Sequence, residues 1–234
     1  MATLAIVLAT AASYAVGWAV GLPALMPVLN TLASFPFMVA ALRQGRLRVA
    51  VARMLVWALA MGACATLIAY ARPWAAGQLF VRGDAYRTEM FTWVMTGRGA
   101  ESTPAVFVPQ QAGHAALFSA LALATGGAAA MPMGAVLMNY MGTYVGSLAA
   151  ASPRPVVAAL AGWHPWAVIR VASFVVLGVI LSMPLLSRVF RFRPMWQEAA
   201  PLARWALAGL AADVVLKTLL APSWQRLLLR VTGW

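Results

Sequence analysis

Gln110–Ala151 reads QQAGHAALFSALALATGGAAAMPMGAVLMNYMGTYVGSLAAA, about forty residues without a formal charge and roughly twice what one helix needs to cross a bilayer. Two breaks divide it, Thr125-Gly126-Gly127 and Met131-Pro132, so it reads as two spans, about 113–130 and 132–151. The second half carries Gly134, Gly142 and Gly146 on one helical face, with Met138 filling the fourth place at the same spacing. Beside that face runs a polar stripe, Asn139, Thr143 and Ser147, also four apart. Small residues let helices approach closely in lipid, and amides and hydroxyls bond across such contacts. The stretch is therefore expected to form the packed centre of a membrane bundle.

Composition points the same way. The 234 residues are 63% hydrophobic and 9% charged, where a soluble domain is about a quarter charged. No stretch has the make-up of a soluble domain, so residues 1–234 are taken as one membrane domain. The net charge of +12 comes almost wholly from arginine. These arginines flank apolar segments, which points to topology and to anionic lipid headgroups as the partner rather than to nucleic acid. Cys64 stands alone inside an apolar run and has no partner for a disulfide. The N-terminus lacks the basic region of a cleaved signal and reads as a retained first helix.

Outward from the centre, the apolar segments are about 3–20, 24–42, 52–71, 166–186 and 202–221. Pro27 and Pro36 make 24–42 either a kinked span or a re-entrant segment, since each proline removes a donor and crowds the preceding turn. Arg43, Arg46, Arg48 and Arg53 follow it, and Arg188, Arg191 and Arg193 follow 166–186. Both clusters are expected on the cytoplasmic side. Residues 72–112 form an extramembrane loop, with a short amphipathic helix over Tyr86–Val94. Residues 223–234 form an interfacial amphipathic tail. The fold class is an all-α polytopic bundle of six or seven segments, in a bacterial-type inner membrane. The halves 3–42 and 112–151 are both long, uncharged and broken, which resembles the discontinuous segments of some transporters.

Few residues carry chemistry. Asp213 and Lys217 lie four apart in the last apolar segment, a spacing that pairs opposite charges. Ionisable groups inside a span mark function by default. Arg170 either snorkels to the interface or faces a ligand or Asp213. With Asn139 these make up the candidate intramembrane polar site. Glu89, Glu101, His114 and His164 are the candidate loop site, because carboxylates and imidazoles carry acid–base work. No metal-ligand spacing, cofactor motif, GxSxG, HExxH or P-loop pattern is present. The thirteen methionines are scattered and read as core.

Over about residues 105–187, a charge-poor glycine-rich helix pair, a His-Pro loop and an apolar helix follow in an order that resembles the sporulation stage II protein M-like membrane proteins. The Pro-His-Gly-x-x-Glu signature of that family is absent: Trp163-His164-Pro165-Trp166 has another order and no acid follows. No family is assigned.

Three functions fit such a chain, and each predicts a different interior. A non-catalytic accessory or assembly subunit, the leading expectation, needs a broad small-residue face for membrane-protein partners or a second copy of itself. A small secondary transporter or channel-like protein gathers its intramembrane polar groups around a cavity. An intramembrane enzyme, the third choice, brings a carboxylate and a histidine within hydrogen-bond reach.

Overall fold

Turn formers set where the helices stop. In the computed structural model, which describes residues 1–234, α1 (Ala2–Val20) ends at Gly21 in the left-handed region, where a side chain would be strained. Residues 23–43 follow as one broken unit: a short 3-10 turn, then α2 (Met26–Leu32) and α3 (Phe35–Arg43). At the break the Ser34 amide bonds the Thr31 carbonyl, which leaves the Asn30 carbonyl free. The Trp57 indole donates to that carbonyl at 3.0 Å. A side chain thus supplies the partner that a broken helix needs in lipid.

α4 (Leu47–Ala71) carries the chain back, and α5 (Pro73–Leu79) and α6 (Gly83–Thr96) follow. The expected loop is largely helical and packed. Met90, Trp93 and Val94 of α6 are buried in one cluster with Tyr144, Val145 and Leu148. α7 (Pro104–Thr125) starts some nine residues before the expected span, because Pro104 sits favourably in a first turn and Pro109 is carried inside the helix. After a turn at Gly126 and Gly127 comes α8 (Ala130–Ala150), then α9 (Pro155–Gly162), α10 (Pro165–Phe190) and α11 (Trp196–Thr232).

The chain is all-α, with no strand, and five units are long and apolar enough to cross a membrane: 2–20, 23–43, 47–71, 165–190 and 196–232. The central pair is not among them, against the expectation of two spans there. Gln110, Gln111 and His114 lower the hydropathy of α7, and Asn139, Thr143 and Ser147 lower that of α8. α8 is enclosed by other helices, with 14 of its 21 residues buried. A helix shielded by protein has no need to be uniformly apolar. Leucines such as Leu59, Leu67, Leu160 and Leu219 instead point outward from the peripheral helices.

The tail also differs from expectation. Residues 223–232 continue α11, a single 37-residue helix with Pro201 and Pro222 inside it. Trp224 donates to the Ala161 carbonyl at 2.8 Å, Gln225 to the Val94 carbonyl at 2.6 Å, and Ser152 to the Val231 carbonyl at 3.0 Å. These bonds hold the tail against α6 and α9 rather than leaving it to lie free on a lipid surface.

The two arginine clusters come to one end. The Arg43 guanidinium sits 5.5 Å from the centroid of the Phe190 ring, and the Gly126–Gly127 turn packs on Leu186 and Ser182 at the same end. α5, α6, α9 and the C-terminal turns of α11 form the opposite end.

Candidate functional site

The sequence-predicted polar residues fall into separate places. Asn139 belongs to a closed network in the bundle centre. The Tyr14 hydroxyl donates to Asn139 Oδ1 at 2.5 Å, Asn139 Nδ2 to Asn30 Oδ1 at 3.2 Å, and Asn30 Nδ2 to Ser13 Oγ at 2.9 Å. All four side chains are buried. The network ties α1, α2 and α8 together and stands apart from Arg170, Asp213 and Lys217.

The small-residue face is likewise structural. A Cβ on Gly142 would meet the Cβ of Ala65, and one on Gly146 would meet the Thr66 carbonyl oxygen and, at 2.7 Å, the Cβ of Ala69. Only glycine allows this approach of α8 to α4. Gly134 does not share it. Its nearest neighbour would be Phe118 at 3.7 Å, an ordinary contact, and it borders open space instead. Of the polar stripe, Thr143 bonds its own helix at Asn139, and buried Ser147 Oγ has no partner.

Asp213 and Lys217 do not pair with each other. The Lys217 ammonium donates to Glu101 Oε1 at 2.8 Å and lies 4.3 Å from the Phe107 ring centroid. Asp213 accepts instead from the Gln111 side-chain amide. Helical spacing alone suggested the pair, but the neighbouring α7 and the turn before it offer both residues closer partners. The Asp213 Oδ1 and Gln111 Oε1 atoms remain buried without partners.

Lys217 and Glu101 lie on the wall of a cavity of about 170 Å³. Arg170, Gln110, Gln111 and His114 join them at one end, with Tyr86 and Tyr140 beside them. The rest is apolar, from Phe118 and Met138 through Phe174 and Val175 to Val179. Along α10 the lining runs from Ala167 to Ser182, and the part from Arg170 to Ser182 covers about 18 Å of helix rise. The cavity is therefore a narrow slot with charge at one end, the end away from the arginine clusters. Arg170 forms neither of the two ion pairs in the molecule, which are Lys217–Glu101 and Arg87–Asp84.

The loop candidates divide as well. Glu89 is exposed on α6 and faces away from the slot. Glu101 is nearly buried, its side chain 13% exposed. Burial alone would raise its pKa, but the Lys217 and Arg170 cations outweigh that and hold it below the usual 4.5. His164 is enclosed by aromatics, stacked on Trp166 at 4.7 Å between ring centroids and crossed by Trp93 at 5.5 Å. The Tyr144 hydroxyl lies 3.3 Å from its Nε2. Burial lowers the His164 pKa to about 4, with Arg170 and Lys217 adding to the effect against Glu101. The imidazole is thus neutral near pH 7. Of the two histidines, only His114 borders the slot.

Sequence reading missed Gln111, Tyr86 and Phe107. Gln111 was visible as one of the few amides in an apolar run, while Tyr86 and Phe107 carried no signal that separates them from core. No family model, curated protein or solved structure is significantly similar to this chain.

Proposed function

We propose that this protein is a small secondary transporter, with the slot between α7, α8 and α10 as its binding site. One observation carries this reading. Side chains from four parts of the chain, Glu101, Gln111, Arg170 and Lys217, converge on one cavity instead of being dispersed or turned to the surface. Polar groups at membrane depth are costly and are kept where they face a pathway or a ligand. Concave, mostly apolar sites with a few convergent polar groups are the usual form of small-molecule sites.

The accessory-subunit reading calls for a small-residue face open to a partner. Here Gly142 and Gly146 are occupied by α4 within the same chain. An intramembrane enzyme is disfavoured by the separation of the histidines: the hydrogen bonds of Glu101 and His164 go to Lys217 and Tyr144. The bacterial-type inner membrane, with both arginine clusters in the cytoplasm, belongs to this proposal.

Access to the slot tests it. Gly134 has room for a side chain and borders the cavity. In a Cys64→Ser background, Gly134→Cys is expected to react with a membrane-impermeant thiol reagent applied from either side of sealed vesicles, because a carrier opens its site to each side in turn. Reaction from neither side would overturn the transport reading.

A further inference from the structure

We infer that the slot takes an amphipathic monoanion, a carboxylate or phosphate head on a single unbranched apolar tail, with the head at Arg170 and the tail along α10 toward Ser182. The inference deepens the transporter reading and rests on it for the claim that the ligand is moved.

Charge is the first ground. Among the lining residues Lys217 is neutralised by Glu101 at 2.8 Å, whereas Arg170 has no carboxylate within ion-pair distance and no hydrogen bond from its guanidinium to the protein. Asp213, the other nearby acid, is turned to Gln111. A guanidinium beside an apolar cavity is the group that an anion satisfies best, since its fork matches a carboxylate or phosphate oxygen pair. The cation is also placed at one end of the slot, so it orients a ligand rather than simply attracting it.

Shape is the second ground. Past Arg170 the walls are Phe118, Phe174, Met138, Val175 and Val179, with no further charge before the far end. The apolar wall from Arg170 to Ser182, about 18 Å of helix rise, accommodates one extended alkyl chain. Unbranched, polarizable methionines such as Met138 and Met131 adapt to a flexible alkyl tail better than branched walls do. A cationic amphiphile would set its head against Arg170, and a polar solute would leave the apolar wall wet.

The test uses the full-length protein in lipid nanodiscs, with decanoate and monodecyl phosphate as probes. Decyltrimethylammonium has the same tail with the opposite charge, and acetate has the head without the tail. Thermal unfolding at increasing probe concentration reports binding, because a ligand of the folded state raises the transition temperature. At least one of the two anions is expected to stabilise the protein, with the tighter one naming the head. Acetate and the cation should bind at least about tenfold more weakly. Arg170→Gln removes one of the two cations that hold Glu101 ionised, so its own ligand-free transition is the baseline, and against that baseline it should weaken the anion at least about tenfold, the loss of one charge-assisted contact. Gly134→Leu, which fills the slot from α8 while keeping Arg170, should weaken it too. Equal binding of anion and cation, undiminished binding in Arg170→Gln, or no binding of either anion would overturn the inference. These outcomes are separate from the Gly134→Cys result. Two-sided labelling without anion binding removes the ligand class and keeps the carrier, while anion binding without labelling removes the carrier and keeps the site.

Discussion

α8 takes part in two regions that treat polar groups in opposite ways. Against α4, α1 and α2 it is closed: Gly142 and Gly146 bring its backbone onto α4, and Asn139 satisfies its amide on Tyr14 of α1 and Asn30 of α2. Toward α7 and α10 the same helix turns Gly134 and Met138 to open space, and the polar groups there are charged and only partly matched. Closing the first region required little more than small residues at one spacing. Keeping the second open required an ion pair brought from elsewhere, Glu101 from the turn before α7 and Lys217 from α11. Rigidity and vacancy thus stand on two faces of one helix, which is the arrangement expected of a fixed scaffold beside a site that fills and empties.

The largest expected effect lies in the open region. Lys217→Leu leaves Glu101 nearly buried without its cation, and one-sided loss of a buried pair costs about 3–5 kcal/mol in soluble proteins. Thermal unfolding of the purified protein should show such a loss, and adding Glu101→Leu should recover most of it. Adding Asp213→Leu instead should recover nothing. Rescue by Asp213→Leu would mean that helical spacing, not the Glu101 contact, sets the pairing.

Next comes the closed seam. Gly146→Ala drives a methyl against the Thr66 carbonyl, and overpacking of this kind costs about 3 kcal/mol or less when neighbours can yield, more when they are backbone. Gly134→Ala, made in the same helix, should be neutral. Comparable losses from the two, measured side by side, would erase the distinction between the faces. Asn139→Ala is expected to cost about 2 kcal/mol, because it leaves buried partners on Tyr14 and Asn30 without their bonds. It should not change the labelling of Gly134→Cys, since the network lies outside the slot.

The smallest effect concerns pH. The Glu101 pKa is lowered in the folded protein, burial being outweighed by Lys217 and Arg170. Its contribution to stability is therefore fully present above the unfolded value near 4.5 and is lost as pH falls through the lower folded value. The wild type should lose stability below about pH 4.5 more steeply than the double variant Glu101→Leu with Lys217→Leu, and only the start of that loss is reached at mildly acidic pH. Parallel pH profiles for the two proteins would count against a charged Glu101.

The closed region was the more legible in sequence. Glycines four apart in an uncharged run imply close helix contact whatever the partner, so Gly142 and Gly146 were found, although Gly134 shares the spacing and not the contact. Helix existence was legible from long apolar runs and from the break at Gly126 and Gly127, although Pro104 gave no sign that α7 starts there. The open region depends on what lies across the gap, which one helix cannot reveal. Asp213 and Lys217 looked paired because they share a face, and only the path of the chain through Glu101 and Gln111 separates them. The tail looked interfacial because leucines alternate with Arg226 and Arg230. Its burial on α6 and α9 depends on contacts between residues 131 and 63 positions apart.

α11 has one more property with a bearing on motion. Pro201 and Pro222 each lack the amide that would close a rung of the helix ladder, so bending concentrates near those two places. The segment between them spans 20 residues, about 30 Å, close to the thickness of a hydrocarbon layer. Asp213 and Lys217 ride on that segment, while the turns beyond Pro222 are clamped by Trp224 and Gln225. Bending at the two prolines would tilt the segment that carries Lys217 relative to the slot while the turns beyond Pro222 stay held on α6 and α9.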